Sequence, residues 1–350
     1  MTPASVTDIS LQLQLSPTIR IAPATPRLSI VIVNYKQWRN AKRVVDSLLQ
    51  SSLVQSGEAE LIIVDNAARP NKLCRRLRQS KKVSISSRKL NHGFAKAVNE
   101  GWAQSRGEWL LLLNPDVSLA PSFLDALNNA LSRWSNEKAA GIVGFRLLDR
   151  ADVVQGSTGA DPSLRRVLAG LLRPRSRRKC QPLQASEAVQ VSWVTGCGML
   201  IRRECLEAVG GFDPDFFMYY EDADLCRRVR AAGWQVWHDP SLELIHHHPL
   251  HLRPVPAHLR LMTRHSLLTY AFKHWPAWQF KVVCRLAAID AIARRLWSSL
   301  VGRKRSAKIF GIQRAMANDC RKGFFHRAYR RVWQVAQLQG RRHERPRKPR

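Results

Sequence analysis

Two acidic clusters, widely separated in sequence, are the parts of this chain best equipped for chemistry. Four leucines, Leu110 to Leu113, run straight into Asn114-Pro115-Asp116. A short continuous apolar run of this kind reads as a strand buried on both faces. Pro115 has no backbone N–H, so the ladder stops there. Asp116 is thereby delivered to the carboxyl end of a strand, where open α/β sheets bind their ligands. A hard cation shared with a diphosphate needs only one or two protein carboxylates, because phosphate oxygens and water complete its shell. The second cluster, Glu221-Asp222-Ala223-Asp224, opens a helix that runs to Gly233. Asp222 shares a stripe with Leu225, Cys226 and Val229, at i+3, i+4 and i+7, and is expected to face inward. Asp224 is expected to pair with Arg228 on the solvent side. A lone inward carboxylate is expensive unless it has a task, although acids in a first turn also suit the helix dipole. One acid for a cation and one for a proton are the needs of a group-transfer reaction.

Other candidates are weaker when taken singly. Asp65-Asn66 ends a strand, where a carboxylate can accept from a base or a ribose; a plain turn is the other reading. Asn91-His92-Gly93 precedes a helix starting near Phe94, with Asn91 as a candidate cap and Gly93 allowing close backbone approach. Phe216, Phe217, Tyr219 and Tyr220 form an aromatic wall suited to a sugar or an apolar acceptor, or else are core. Of His246-His247-His248, one can ligate a metal or hold a phosphate, and the others are expected to be solvated. Gly196-Cys197-Gly198 lacks the third glycine of a dinucleotide fingerprint and comes too late in the chain to be one.

The elements that must position these residues alternate as strand and helix. Leu28 to Val33, Leu61 to Val64, Val83 to Ser86 and the leucine run read as strands. Helices are expected over Trp38 to Leu49, around Asn71 to Gln79, and from Phe94 to a stop at Gly107. Repeated βα units imply a parallel sheet. After residue 120 the pattern loosens, with strands expected at Ile142 to Leu148, Val189 to Val194 and Gly196 to Ile201, and a short helix at Glu204 to Val209. Residues 1–27 look like a disordered leader without the pattern of a signal peptide. Arg173 to Lys179 reads as an exposed basic loop, and residues 340–350 as a disordered basic tail.

The 350 residues carry a net charge of +31 and seven cysteines. Residues 251–350 hold 24 Lys and Arg against three acids, a surplus of +21, which leaves +10 for the first 250. The odd cysteine count without a Cys-x-x-Cys argues against a zinc knuckle or a disulfide framework and points to reduced thiols in a cytoplasmic protein. Val282 to Leu300 is interrupted by Arg285, Asp290, Arg294 and Arg295, too polar for a span.

Taken together the motifs resemble glycosyltransferase family 2, inverting enzymes of GT-A fold, and in particular its rhamnosyltransferase-like branch. The resemblance covers residues 28–250. It rests on the segments Ser29 to Tyr35, Val64-Asp65-Asn66, Asn91 to Gly101, Leu113 to Asp116, Gly196 to Ile201 and Gly211 to Cys226. It implies a Rossmann-like, mostly parallel sheet flanked by helices; the charge and amphipathic pattern beyond it read as a basic helical extension over residues 251–339. It also implies roles. Asn34, Asp65, Asn91, Gly93, Phe94, Asn99 and Asn114 would bind a nucleoside-diphosphate sugar, with Asp65 on the base. Asp116 stands at the last acid of the family's Asp-x-Asp, with Asn114 in place of the first, and with His246 would hold Mg²⁺ or Mn²⁺. Asp222 matches the catalytic base, and Gly196, Tyr220 and Glu221 would face the acceptor. The reaction implied is transfer of a hexose or rhamnose to a hydroxyl of a glycan or lipid-linked acceptor in cell-surface polysaccharide synthesis.

Residues 257 to 335 mix Trp275, Trp278, Phe280, Trp297, Phe324, Phe325 and Trp333 with many Arg and Lys. Basic amphipathic helices with tryptophan lie on anionic membranes, which would hold the protein on the inner face of the cell membrane; a helical appendage packed on the main domain is the alternative. The charge also invites a nucleic-acid-binding reading, opposed by its terminal position and by the lack of a helix-turn-helix or RNA-binding signature. A nucleotidyltransferase would share the nucleotide half. A dead lectin-like module is disfavoured because Asp116 and Asp222 are both present.

Overall fold

The structure is a computed structural model, described over residues 25–67, 71–171, 182–247 and 255–342. Its first half is a succession of βα units. These are β1 (Leu28–Asn34), α1 (Trp38–Leu48), α2 (Ser52–Ser56), β2 (Ala59–Asn66), α3 (Lys72–Arg78), β3 (Val83–Arg88), α4 (Phe94–Gln104) and β4 (Trp109–Leu113). Next come β5 (Val117–Leu119), α5 (Pro121–Asn136), β6 (Ala140–Leu148), β7 (Val154–Gln155), β8 (Thr158–Gly159) and α6 (Leu164–Leu171). They are followed by β9 (Val189–Gln190), β10 (Trp193–Val194), β11 (Gly198–Arg202), α7 (Arg203–Ala208), α8 (Glu221–Ala231) and β12 (Gln235–His246). Four helices close the described chain: α9 (Ala257–His274), α10 (Ala277–Leu300), α11 (Lys304–Arg321) and α12 (Phe325–Arg342).

The main sheet runs β3-β2-β1-β4-β11-β6-β12-β5. The β3-β2-β1-β4 half is parallel, as the βα repeats require. The sheet then departs from the parallel expectation, because β11 lies antiparallel to both β4 and β6. The strand expected over Val189 to Val194 is two short ones, β9 on β12 and β10 on β8. The strand expected from Gly196 begins at Gly198. Strand side chains alternate between two apolar layers: Val31, Ile62, Leu110 and Leu112 face one, and Ile30, Ile32, Ile63 and Leu111 the other. The α4 helix ends at Gln104 and exits through an extended Ser105, not at Gly107. Gly107 serves packing instead, since a Cβ there would lie 2.5 Å from the Ser29 backbone nitrogen.

The four closing helices share an apolar cluster with the sheet, in which Val31, Leu112 and Phe217 occur beside Leu268, Val283, Met316 and Val332. The tail aromatics divide: Trp275 and Phe280 are buried, while Trp278, Trp297 and Phe324 are exposed. Among the described residues, six cysteines are free and buried, and no helix is long and apolar enough to cross a membrane. The expected leader, basic loop and terminal tail lie largely outside the described residues, although α12 carries helix on to Arg342.

Candidate active site

The parallel register puts Asn34 and Asp65 side by side at the carboxyl ends of β1 and β2. Asn34 Nδ2 donates to Asp65 Oδ1 at 3.1 Å, and Asn34 Oδ1 accepts from the Gln37 backbone at 3.1 Å. Burial lifts the Asp65 carboxyl to about 6, against the opposing hydrogen bond from Asn34. Its Oδ2 has no hydrogen-bond partner. A desolvated acceptor at the edge of a sheet is a place where a ligand N–H or O–H gains most. An open cleft of about 710 Å³ adjoins this edge, with Lys36, Arg39 and Lys72 among its lining residues.

Residues 91–93 form the next wall. Asn66 holds them from the sheet: its Nδ2 donates to Asn91 Oδ1 at 3.1 Å and to Gly93 O at 2.8 Å, and its Oδ1 accepts from His92 N at 2.9 Å. Asn91 is not the cap of α4, because its Oδ1 accepts from Gly93 N at 2.9 Å and the cap position falls to Gly93. Gly93 has φ +93°, and a Cβ on it would stand 2.5 Å from Phe217 O, so glycine is required there on both counts. Phe94 N donates to the same carbonyl at 2.7 Å. Asn99 uses both ends of its amide on the Phe212 backbone, donating at 2.6 Å and accepting at 2.9 Å. The structure therefore gives Asn99 the task of holding the segment that leads to Asp222.

At the exit of β4, Asn114 N donates to Cys197 O at 3.0 Å. Asp116 is buried, and His246 Nε2 lies 3.7 Å from its Oδ1. The β12–β5 pairing sets His246 opposite Val117, which is why two residues so far apart in sequence meet. His247 is not merely solvated: Arg150 Nε donates to its Nδ1 at 3.1 Å, leaving Nε2 to bond Ser118 Oγ at 2.6 Å. His248 lies outside the described residues. No group of three metal-ligating side chains occurs among the described residues. A carboxylate and an imidazole fit a cation that takes its remaining ligands from a diphosphate and water.

The second acidic cluster opens α8 after Tyr219 and Tyr220, both in left-handed backbone, at φ +75° and +67°. Such a pair of strained non-glycine residues is characteristic of functional sites. Asp222 is buried, and its Oδ1 accepts from Ala223 N at 2.9 Å. Glu221 is also buried, and Tyr220 packs against Tyr270. Phe216 and Phe217 are core rather than an exposed aromatic wall. The expectation for Asp224 is corrected in part. It does pair with Arg228, at 2.8 Å, but it is fully buried beneath α9, where His274 Nε2 meets its other oxygen at 2.7 Å. Facing inward therefore does not distinguish Asp222 from Asp224; both oxygens of Asp224 are held, by Arg228 and by His274.

One short segment runs between the β4 exit and α8. The Cys197 thiol is pushed well up by burial and then by the charge of Asp116. Three residues earlier, the Val194 backbone bonds Cys226, one turn beyond Asp222. Between them, a Cβ on Gly196 would stand 3.5 Å from the Phe94 ring, an ordinary contact. The segment from Val194 to Cys197 thus runs from α8 past the start of α4 to the β4 exit, where the Cys197 carbonyl accepts from Asn114 N. His274 and Asn66 went unnoticed as partners in the sequence; Asn66 had a signal, its place beside Asp65 at a strand end, whereas His274 had none.

An open α/β sheet of this order, with an acid after the fourth strand and a second acidic cluster on a later helix, is the GT-A arrangement. Among solved structures, GalNAc-T7 with UDP, GalNAc and Mn²⁺ superposes with a TM-score of 0.53 over 71% of this chain and 48% of that one, at 15% identity, a likeness of fold. The sequence model of glycosyl transferase family 2 matches residues 29–210, and that of glycosyl transferase family 21 matches residues 178–274. N-acetylglucosaminyl-diphospho-decaprenol L-rhamnosyltransferase of Mycobacterium tuberculosis is 31% identical over 275 residues, 73% of this chain and 87% of the relative. Rhamnosyltransferase WbbL of Escherichia coli is 28% identical over 159 residues, 45% of this chain and 59% of the relative. The chain belongs to glycosyl transferase family 2. It is a glycosyltransferase of glycan or polysaccharide synthesis that draws on a nucleoside-diphosphate sugar.

Proposed function

We propose that this enzyme transfers a sugar, rhamnose being the leading candidate, from a nucleoside-diphosphate donor to a hydroxyl of a lipid-linked glycan, with inversion at the anomeric carbon. The observation that carries this reading is the segment Val194 to Cys197, which bonds Asn114 at the β4 exit at one end and Cys226 of the Asp222 helix at the other. Asp65 and Asn34 take the base and ribose end of the donor, and residues 91–94 with Asn114 line its diphosphate and sugar. Asp116 and His246 would hold Mg²⁺ or Mn²⁺, which would offset charge on the departing diphosphate. Asp222 removes the proton of the acceptor hydroxyl, and Gly196, Tyr220 and Glu221 border the acceptor. The oxygen then attacks the anomeric carbon from the face opposite the diphosphate. The C–O bond to the phosphate breaks, and its electron pair leaves on the nucleoside diphosphate. The rhamnosyl and lipid-linked parts of the proposal lean on the mycobacterial relative, whose name gives both.

The purified enzyme, given UDP-, GDP- and dTDP-sugars with Mg²⁺ or Mn²⁺ and a polyprenyl-diphosphate-linked N-acetylglucosamine, is expected to release nucleotide diphosphate from the dTDP-rhamnose arm. EDTA is expected to suppress that release. No release from any donor with this acceptor present would overturn the proposal.

A lipid-linked acceptor calls for work at a membrane surface, and α10 offers a fitting face. Trp278, Ile289, Ile292, Leu296 and Leu300 fall on one stripe and are exposed, with Trp297 beside them at 64% exposure. Lys281, Arg295, Arg303 and Lys304 flank the stripe, and the exposed Arg285 falls within it. The proposed partner is the anionic leaflet on the cytoplasmic side, which takes tryptophan and leucine at its boundary and attracts the flanking charges. The enzyme is expected to float with vesicles of 30% phosphatidylglycerol in phosphatidylcholine, whereas a Leu296→Glu, Trp297→Glu, Leu300→Glu variant stays in the soluble fraction. Equal flotation of the two proteins would remove α10 from the account, and retention on duplex DNA in place of vesicles would revive the nucleic-acid reading.

A further inference from the structure

The backbone of residues 91–93 is held from two sides, and one of them is the far end of the chain. Asn66 and Asn91 side chains satisfy His92 N, Gly93 N and Gly93 O. The three remaining backbone groups all go to α12. Asn91 N donates to Gln337 Oε1 at 3.3 Å, and Gln337 Nε2 returns a bond to Asn91 O at 2.6 Å. Tyr329 Oη donates to His92 O at 3.2 Å. A glutamine amide that exchanges two bonds with one residue's backbone copies the pairing of a neighbouring strand. The Tyr329 ring is fixed in turn, by Lys96 of α4 over one face at 4.7 Å and by an edge contact to Phe217, whose carbonyl bonds Phe94 N. Burial pushes the Tyr329 phenol up to about 12, so it keeps its proton and its role as donor.

We propose that Gln337 and Tyr329 are positioning residues that latch the donor loop, making α12 part of the nucleotide-sugar site and not only a membrane appendage. The proposal rests on the donor role given above to residues 91–94. A loop whose backbone is already bonded loses little freedom when the donor arrives; an unlatched loop must be ordered by the donor, which lowers apparent affinity by the fraction of time it is out of place. The latch touches no reacting atom, so its loss is expected in donor affinity and not in the chemical step.

Gln337→Met keeps the length of the side chain and removes both bonds, and Tyr329→Phe keeps the ring and removes one. Each bond is of the kind whose loss changes an equilibrium by roughly three- to ten-fold. The double variant is expected to raise donor KM by about ten-fold or more on that basis, with kcat and acceptor KM within about two-fold. Amide hydrogen exchange at Asn91 is expected to quicken in Gln337→Met without donor. Gln337→Glu, which turns a carboxylate towards the Asn91 carbonyl, is expected to be no better than Met. If the wild type turns over and the variants keep its donor KM, the latch is wrong and the assigned function stands. If the wild type binds no nucleotide sugar, both fall. Should the double variant fold poorly, Tyr329→Phe alone decides: a fall in kcat at unchanged donor KM contradicts the proposal.

Discussion

Asp222→Asn is expected to lower turnover by ~10²- to 10⁴-fold, the range that a positioned general base contributes. Asparagine has the shape of aspartate, and its side-chain oxygen can still accept from Ala223 N, the bond that Asp222 makes at the start of α8. What is lost is the ability to take a proton from the acceptor hydroxyl. The first turn also loses one charge near the helix N-terminus, where Glu221 and Asp224 remain, a dipole contribution of about 0.3–1 kcal/mol; the urea midpoint of the variant checks that the domain stays folded. The measurement is kcat against nucleotide-sugar affinity in the same preparation, with affinity expected within about two-fold of wild type because the donor site proposed above draws on the ends of β1, β2 and β4 and on residues 91–94, not on α8. A variant that turns over within ten-fold of wild type would show that the proton leaves by another route, and Glu221 would be the next residue to replace.

The parallel half of the sheet was readable because three of its four strands, β1, β2 and β4, are largely apolar runs ending in Asn34, Asp65-Asn66 and Asn114-Pro115-Asp116. A strand buried on both faces has no other way to be written, and its polar punctuation marks the binding edge. The second half was less readable for a physical reason. In β12 the apolar residues are interrupted by Asp239, Pro240 and Ser241, where the pairing with β6 shifts register. The interruption is stabilised by tertiary bonds, Asp239 accepting from the Trp134 indole at 2.9 Å and pairing with Arg133. Helix α5 carries Phe123, Leu127, Ala130, Leu131 and Trp134 at helical spacing, and its periodicity was open to inspection. Local pattern carries no trace of Gln337 on Asn91 or of His274 on Asp224, because each bond depends on where a distant helix docks.

The four-residue acidic cluster shows the same limit at close range, and it yields the second large expectation. Helical periodicity put Asp224 outside, but α9 crosses over that face, so Asp224 is fully buried. Both its oxygens are occupied: Arg228 Nε at 2.8 Å and His274 Nε2 at 2.7 Å. Arg228 in turn donates to Val209 O at 2.8 Å and Gly211 O at 2.9 Å, fastening the turn before the Phe212–Tyr220 segment. Asp224→Ala would remove the carboxylate partner of a guanidinium that is only one-quarter exposed, leaving its charge on two neutral carbonyls. Breaking a buried pair in this way costs about 3–5 kcal/mol, a large fraction of a domain's stability of about 5–15 kcal/mol. The expected result is a marked fall in the urea midpoint with an unchanged slope, while the molecules that remain folded turn over at close to the wild-type rate. That pairing of outcomes is the reverse of the one expected for Asp222→Asn, two positions away on the same helix. A loss under about 1 kcal/mol would mean that solvent reaches Arg228 far more freely than its packing implies. A fully folded but inactive Asp224→Ala enzyme would move the base from one aspartate to the other.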